Sequence, residues 1–187
     1  MRRSLVAVLP AVLILAGTFS AQSETSGGRR LPKTDAELIA NAMSAAPSAI
    51  SRDATIIAME GEKMRTLRQG KGDFTCMPDD PSSPGNDPMC LDRNAMEWLH
   101  AWIDHKDAPK GKIGLVYMLQ GGSDASNDDP FATTPPAGKK WVATGPHVMV
   151  VGMAGMLGNL TKTADVPTRP FIMWGGSSYE HIMMPVK

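Results

Sequence analysis

Residues 74–102 read FTCMPDDPSSPGNDPMCLDRNAMEWLHAW and join a two-cysteine, proline-rich loop directly to the best helix-forming segment of the chain. Cys76 and Cys90 are the only cysteines, and Pro78, Pro81, Pro84, Gly85 and Pro88 lie between them. Proline fixes its own φ and lacks an amide donor, so neither a helix nor a central strand can run through the stretch. A bond between the two ends would hold such a loop by removing closure entropy from the unfolded chain. A ring of about 15 residues gains roughly 3 kcal/mol in this way. Just beyond Cys90, Asp92 is a good N-cap. Ala95, Leu99 and Trp102 then share one face at helical spacing, with Met96 and Ile103 beside them. A Cys76–Cys90 disulfide would therefore fasten the loop to the start of a core helix.

Whether the thiols oxidise depends on compartment. Arg2 and Arg3 precede an apolar run over residues 5–16, and small residues follow at Thr18, Ser20 and Ala21. This is the layout of a secretory signal peptide over residues 1–21, and the apolar run is too short to span a membrane. Thr18 stands where a lipoprotein signal would need its acylated cysteine. The expectation is export to the periplasm or the extracellular space, without stable membrane insertion, and export favours the disulfide. The alternative, a pair of metal-binding thiolates, lacks CxxC spacing.

Composition narrows the rest. The 19 basic residues fall to 17 if Arg2 and Arg3 are removed with the signal, against 19 acidic ones, which gives no electrostatic reason to bind nucleic acid. Residues 22–33, QSETSGGRRLPK, are polar and aperiodic and read as a flexible leader. Residues 34–187 are the size of one domain with its own core. Thr34 and Glu37 form a capping-box pattern before Leu38, Ile39, Ala42 and Met43, and Pro47 stops that helix. Three short runs, 54–59, 64–68 and 74–76, separated by turn-like groups, suggest an antiparallel meander. Residues 113–119, IGLVYML, read as a central strand, and 148–151, 171–174 and 181–184 as further strands. Residues 153–160 form either a short helix or a glycine-broken turn. The fold class expected is α+β: a single domain, a mainly antiparallel sheet, two principal helices and a disulfide-closed, proline-rich loop.

Three groups of residues bear on chemistry. After the central strand, residues 120–129, QGGSDASNDD, offer oxygen ligands to a hard cation at Asp124, Asn127, Asp128 and Asp129. Asp129 and Pro135 nevertheless occupy the positions of the glycine and glutamate that an EF-hand loop requires, and a solvated turn is the plainer reading. The second group is an internal echo. Residues 118–123 (MLQGGS) match 172–177 (IMWGGS), and His147-Val148-Met149-Val150 matches His181-Ile182-Met183-Met184. Paired elements would set His147 and His181 at corresponding ends of neighbouring strands, where with Ser123, Asp124 or Glu180 they would bind a small ligand or a metal ion. The bland alternative is two hydrogen-bonded structural histidines. The third group is the 14 methionines. Thioether and imidazole suit copper(I), yet these methionines sit in apolar strands and read as core filler.

The wording TCMPD (75–79), PGNDPMC (84–90), YMLQGGSDASN (117–127), TGPHVM (144–149) and YEHIMMPV (179–186) resembles an uncharacterised family of small exported bacterial proteins. The resemblance implies a single exported domain and brings no activity, cofactor or catalytic residue with it. The functional expectation is an exported protein that binds a small ligand or metal ion near the Gly-Gly-Ser strand ends. Its rivals are a hydrolase using Ser123 or Ser177 with a histidine and Asp124, although G-x-S-x-G is absent, and a structural or protein-interaction domain without a small-molecule site.

Overall fold

The computed structural model describes residues 29–186 apart from 62, 159, 163 and 165–167, so the expected signal peptide and most of the expected leader lie outside the described residues. Helix α1 (Asp35–Met43) opens with the expected capping box, the Thr34 hydroxyl accepting from the Glu37 amide while Glu37 reaches back to the Thr34 amide. Pro47 then heads a single-turn helix, α2 (Ser48–Ser51), which the sequence reading did not separate from a stop.

Strands β1 (Thr55–Glu60) and β2 (Lys63–Arg68) form a hairpin, and Gly61 takes the left-handed conformation at its turn (φ 62°). The meander ends there. Strand β3 (Thr75–Met77) pairs with the other edge of β1 and runs parallel to it. The cause is a close backbone crossing. The Lys71 and Gly72 amides both donate to Asp53 O (2.9 and 2.7 Å), and a Cβ on Gly70 would stand 2.3 Å from the Ala54 carbonyl carbon. The chain thus slips past the start of β1 and emerges on its far side.

Strand β4 (Met89–Leu91) pairs antiparallel with β3, with Cys76 opposite Cys90. The disulfide therefore joins neighbouring strands, with a Cα–Cα distance of 4.0 Å. What reads in sequence as one loop from Cys76 to Cys90 is a hairpin whose proline-rich part projects beyond the paired ends. The remaining strands are β5 (Gly114–Met118), β6 (Gly122–Asp124), β7 (Val142–Thr144), β8 (His147–Val151), β9 (Phe171–Met173) and β10 (His181–Pro185). Eight of them form one sheet in the order β2-β1-β3-β4-β5-β8-β10-β9, antiparallel except at β1/β3, while β6 and β7 form a separate pair. The domain is α+β, as expected. Residues 153–158 are turns with Gly155 and Gly158 at positive φ, the glycine-broken alternative.

Period-two alternation splits the core between the two faces of the sheet. Ile56, Cys76 and Cys90 face Ala42, Ala45 and Ala46 of the α1 region. Their sequence neighbours Ile57, Met77 and Leu91 face the opposite way, toward helix α3 (Arg93–Ile103), together with Val116, Met149, Met173 and Met183. Most strand methionines are thus core residues. Asp92 places α3 with both carboxylate oxygens, one capping Ala95 (2.8 Å) and the other accepting from the Leu115 amide of β5 (3.0 Å). A Cβ on Gly114 would lie 2.4 Å from the Ala95 nitrogen, so only glycine lets helix and strand backbones approach this closely. No described helix is long and apolar enough to cross a membrane.

Candidate functional site

A cavity of about 550 Å³ opens between the α3 face of the sheet, the α3 helix and the loops around residues 80–87 and 124–133. Its floor carries Met118, His147, Met149, Met173 and His181, and its roof Trp98, Leu99, Trp102 and Ile103. Trp141 and Trp174 complete the wall, so all four tryptophans of the chain line this one space.

Trp174 is held in an unusual way. It is one of two non-glycine residues with positive φ (54°) among those described, its amide donates to Asn127 O (2.7 Å), and its Nε1 donates to Ser126 O (3.0 Å). A left-handed backbone costs a bulky residue about 1 kcal/mol or more. Here the two hydrogen bonds hold it in place, and the indole settles between two others. It lies nearly parallel to Trp98 (centroids 5.9 Å, 11°) and to Trp102 (6.4 Å, 3°). Trp102 is itself anchored by Nε1 to Pro130 O (2.7 Å).

The echo in the sequence does place both histidines at strand starts, but the register differs from the expectation. Strands β8 and β10 are antiparallel with His147 opposite Pro185, so His181 lies four residues away along β10, about 13 Å at 3.3 Å per residue. The histidines stand at opposite ends of neighbouring strands. They share a face because that four-residue offset is even. Each imidazole is almost fully buried, and each donates from Nδ1 to the carbonyl two residues earlier: His147 to Gly145 O (2.7 Å) and His181 to Tyr179 O (2.8 Å). That donation puts the proton on Nδ1 and leaves Nε2 as a bare acceptor. Both Nε2 atoms are buried without a partner, as is Trp98 Nε1–H. Burial lowers the pKa of both histidines, that of His181 to about 4, with the proximity of His147 contributing. His181 also packs T-shaped against the rings of Trp98 and Trp174, with centroids at 5.5 and 5.0 Å.

Of the other candidates, Ser123 and Asp124 line the same cavity. The Ser123 hydroxyl accepts from the Gly85 amide (2.8 Å) and lies 3.5 Å from Asp87 Oδ2, tying the hairpin loop to β6. Burial, with the charge of Asp87 adding to it, pushes Asp124 up to about 7. Glu180 does not belong to the site. Its carboxylate accepts from the amides of Gly155 (3.1 Å) and Gly176 (2.8 Å), so it pins two turns and has no face toward the cavity.

The hydrolase arrangement is not assembled. Ser177 donates to Trp174 O (2.7 Å), Ser123 is bound as above, and neither imidazole has a serine partner. Among the described residues no group of three or more His, Cys, Asp or Glu is placed to hold a metal ion. The sequence reading missed the tryptophans and Asp87. Trp98 and Trp102 look in sequence like ordinary helix core, Trp141 and Trp174 like isolated loop or strand residues, and only the fold brings them together. No family model, curated protein or solved structure matches the chain.

Proposed function

We propose that this chain is an exported binding protein for a small organic molecule, taken up in the tryptophan-walled cavity between α3 and the sheet. The signal-type N-terminus and the Cys76–Cys90 bond support export. One observation carries the binding reading: two buried imidazoles on the cavity floor keep an unprotonated, unpartnered Nε2, and the indole N–H of Trp98, whose ring packs on His181, is unpartnered too. A buried polar atom without a hydrogen bond costs about 1–3 kcal/mol, and three on the wall of one space are an unusual concentration. A guest with an apolar body and hydrogen-bond donors recovers that energy. Its body meets indole and thioether, and its donors meet Nε2.

Phenol, resorcinol and toluene, titrated while ligand-observed NMR monitors the free guest, test the reading. Saturable binding is expected, with the two hydroxylated guests ahead of toluene. The double variant His147→Phe/His181→Phe keeps two flat rings and should lose that preference. No saturable binding of any of the three at millimolar concentration would refute the proposal.

A further inference from the structure

The acidic end of the cavity deepens the ligand-binding reading, on which this inference rests. The lining contains Asp80, Asp87, Asp124 and Asp129, and neither lysine nor arginine. Asp87 is only 7% exposed. Its Oδ2 accepts from the Ser83 hydroxyl, while Oδ1 is buried without a partner. Burial and the neighbouring Asp79 carboxylate push Asp87 upward, and Asp124 follows for the same kind of reason. Two carboxyl groups thus border an aromatic cavity that supplies no counter-charge.

Next to them, the chain shows what such a group accepts. Asp79 Oδ1 takes the Asp87 amide (2.9 Å), and its Oδ2 lies 3.1 Å from the guanidinium of Arg29, which enters from the segment before α1. Arg29 Nη2 faces Asp79 and also donates to Asp80 O (3.3 Å), and among the influences on Asp87 its charge is the weakest. Desolvated carboxylates attract cations, and indole faces attract them too, through the ring quadrupole. An anion in the same place is repelled by those carboxylates. A neutral hydroxyl guest offers Asp87 Oδ1 only an uncharged hydrogen bond, about half the strength of a charge-assisted one.

We propose that the molecule taken up is an organic cation, an amine or guanidinium on an apolar or aromatic body, with its charged end against Asp87 and Asp124 and its body among the indoles.

Three probes of nearly one shape decide this by isothermal titration calorimetry on the oxidised protein: 2-phenylethylammonium, 2-phenylethanol and phenylacetate. The ammonium compound should bind at least about tenfold more tightly than the alcohol, and phenylacetate should not bind. Asp124→Asn, which keeps the shape of the side chain, should shrink the ammonium-over-alcohol ratio several-fold. If the alcohol binds as well as the amine, the charge assignment falls and the cavity reading stands. If none of the three binds, both fall. The series on the unsubstituted protein decides by itself should the variant misfold.

Discussion

Reducing the Cys76–Cys90 bond isolates the contribution of one covalent link to this fold. The bond closes a ring with a sequence separation of 14. For a ring of about 15 residues the chain-entropy relation gives roughly 10 cal/mol/K, or about 3 kcal/mol at 25 °C. Both sulfurs are fully buried in the cluster under α1, so cutting the bond removes no packing beyond the small movement apart. Cys90 Sγ already lies 3.7 Å from Ala42 O, which gives a newly formed thiol a weak acceptor. Strand pairing of β3 with β4 also survives. The loss should therefore be nearly all unfolded-state entropy, and for a domain of this size about 3 kcal/mol lowers Tm by roughly 6–12 °C. The measurement is scanning calorimetry of the oxidised protein against protein unfolded, reduced and refolded under a phosphine reductant. A difference under about 2 °C, against the 6–12 °C expected, would refute the reasoning. So would two alkylatable thiols in the natively isolated, unreduced protein.

Two further outcomes follow from particular contacts. Asp124 has a folded-state pKa raised from 3.8 to about 7. The folded protein therefore holds a proton that the unfolded chain has released, and the contribution of Asp124 to stability is most favourable below about pH 4 and declines as pH rises to about 7. Asp124→Asn removes that dependence. Relative to the unsubstituted protein it should gain about 1–2 kcal/mol between pH 4 and pH 8 in urea titrations, less than the full shift implies because the side chain is only half-buried; a difference that does not change with pH would contradict the assignment. Gly114→Ala drives a methyl group to within 3.0 Å of three Ala95 atoms, two of them backbone, so α3 must lift from β5. A loss of about 1–3 kcal/mol is expected in the same titrations, with weakened uptake of guests because the cavity roof moves. Unchanged stability would show that the helix sits less tightly than described.

Much of the architecture was legible because it rests on local chemistry. Thr34 and Glu37 announce α1, Asp92 announces α3, and the apolar run over residues 113–119 announces β5 after it. The disulfide was expected from two cysteines and a signal-type N-terminal sequence. What local chemistry does not carry is pairing order. Nothing in the runs 54–59, 64–68 and 74–76 says that the third joins the first, because the cause is a tertiary crossing of Gly70 under Ala54. Strand β4 was hidden for a related reason. Three residues next to a proline-rich stretch have too little length to show alternation, and their partner strand supplies the evidence.

The site divides in the same way. His147, His181, Ser123 and Asp124 were named from residue type and the Gly-Gly-Ser echo, and the fold does bring all four to one cavity. Glu180 looked equivalent because it adjoins His181. It sits, however, in the turn that precedes β10, its amide donating to Ser177 O (3.2 Å), and its carboxylate went to two glycine amides. The tryptophans come from a helix, a loop and a strand end, and a sequence carries no mark of side chains converging from three directions.

That convergence has a practical consequence. Every indole in the molecule lines the same cavity, so light absorbed in the indole band is emitted from a single location and is almost blind to the remaining surface. Arrival of a guest changes the polarity and contacts of that location alone. The emission maximum and its quenching therefore act as a built-in gauge of occupancy, requiring neither dye nor label, and a scan of compounds by their effect on this glow amounts to a scan of the cavity itself.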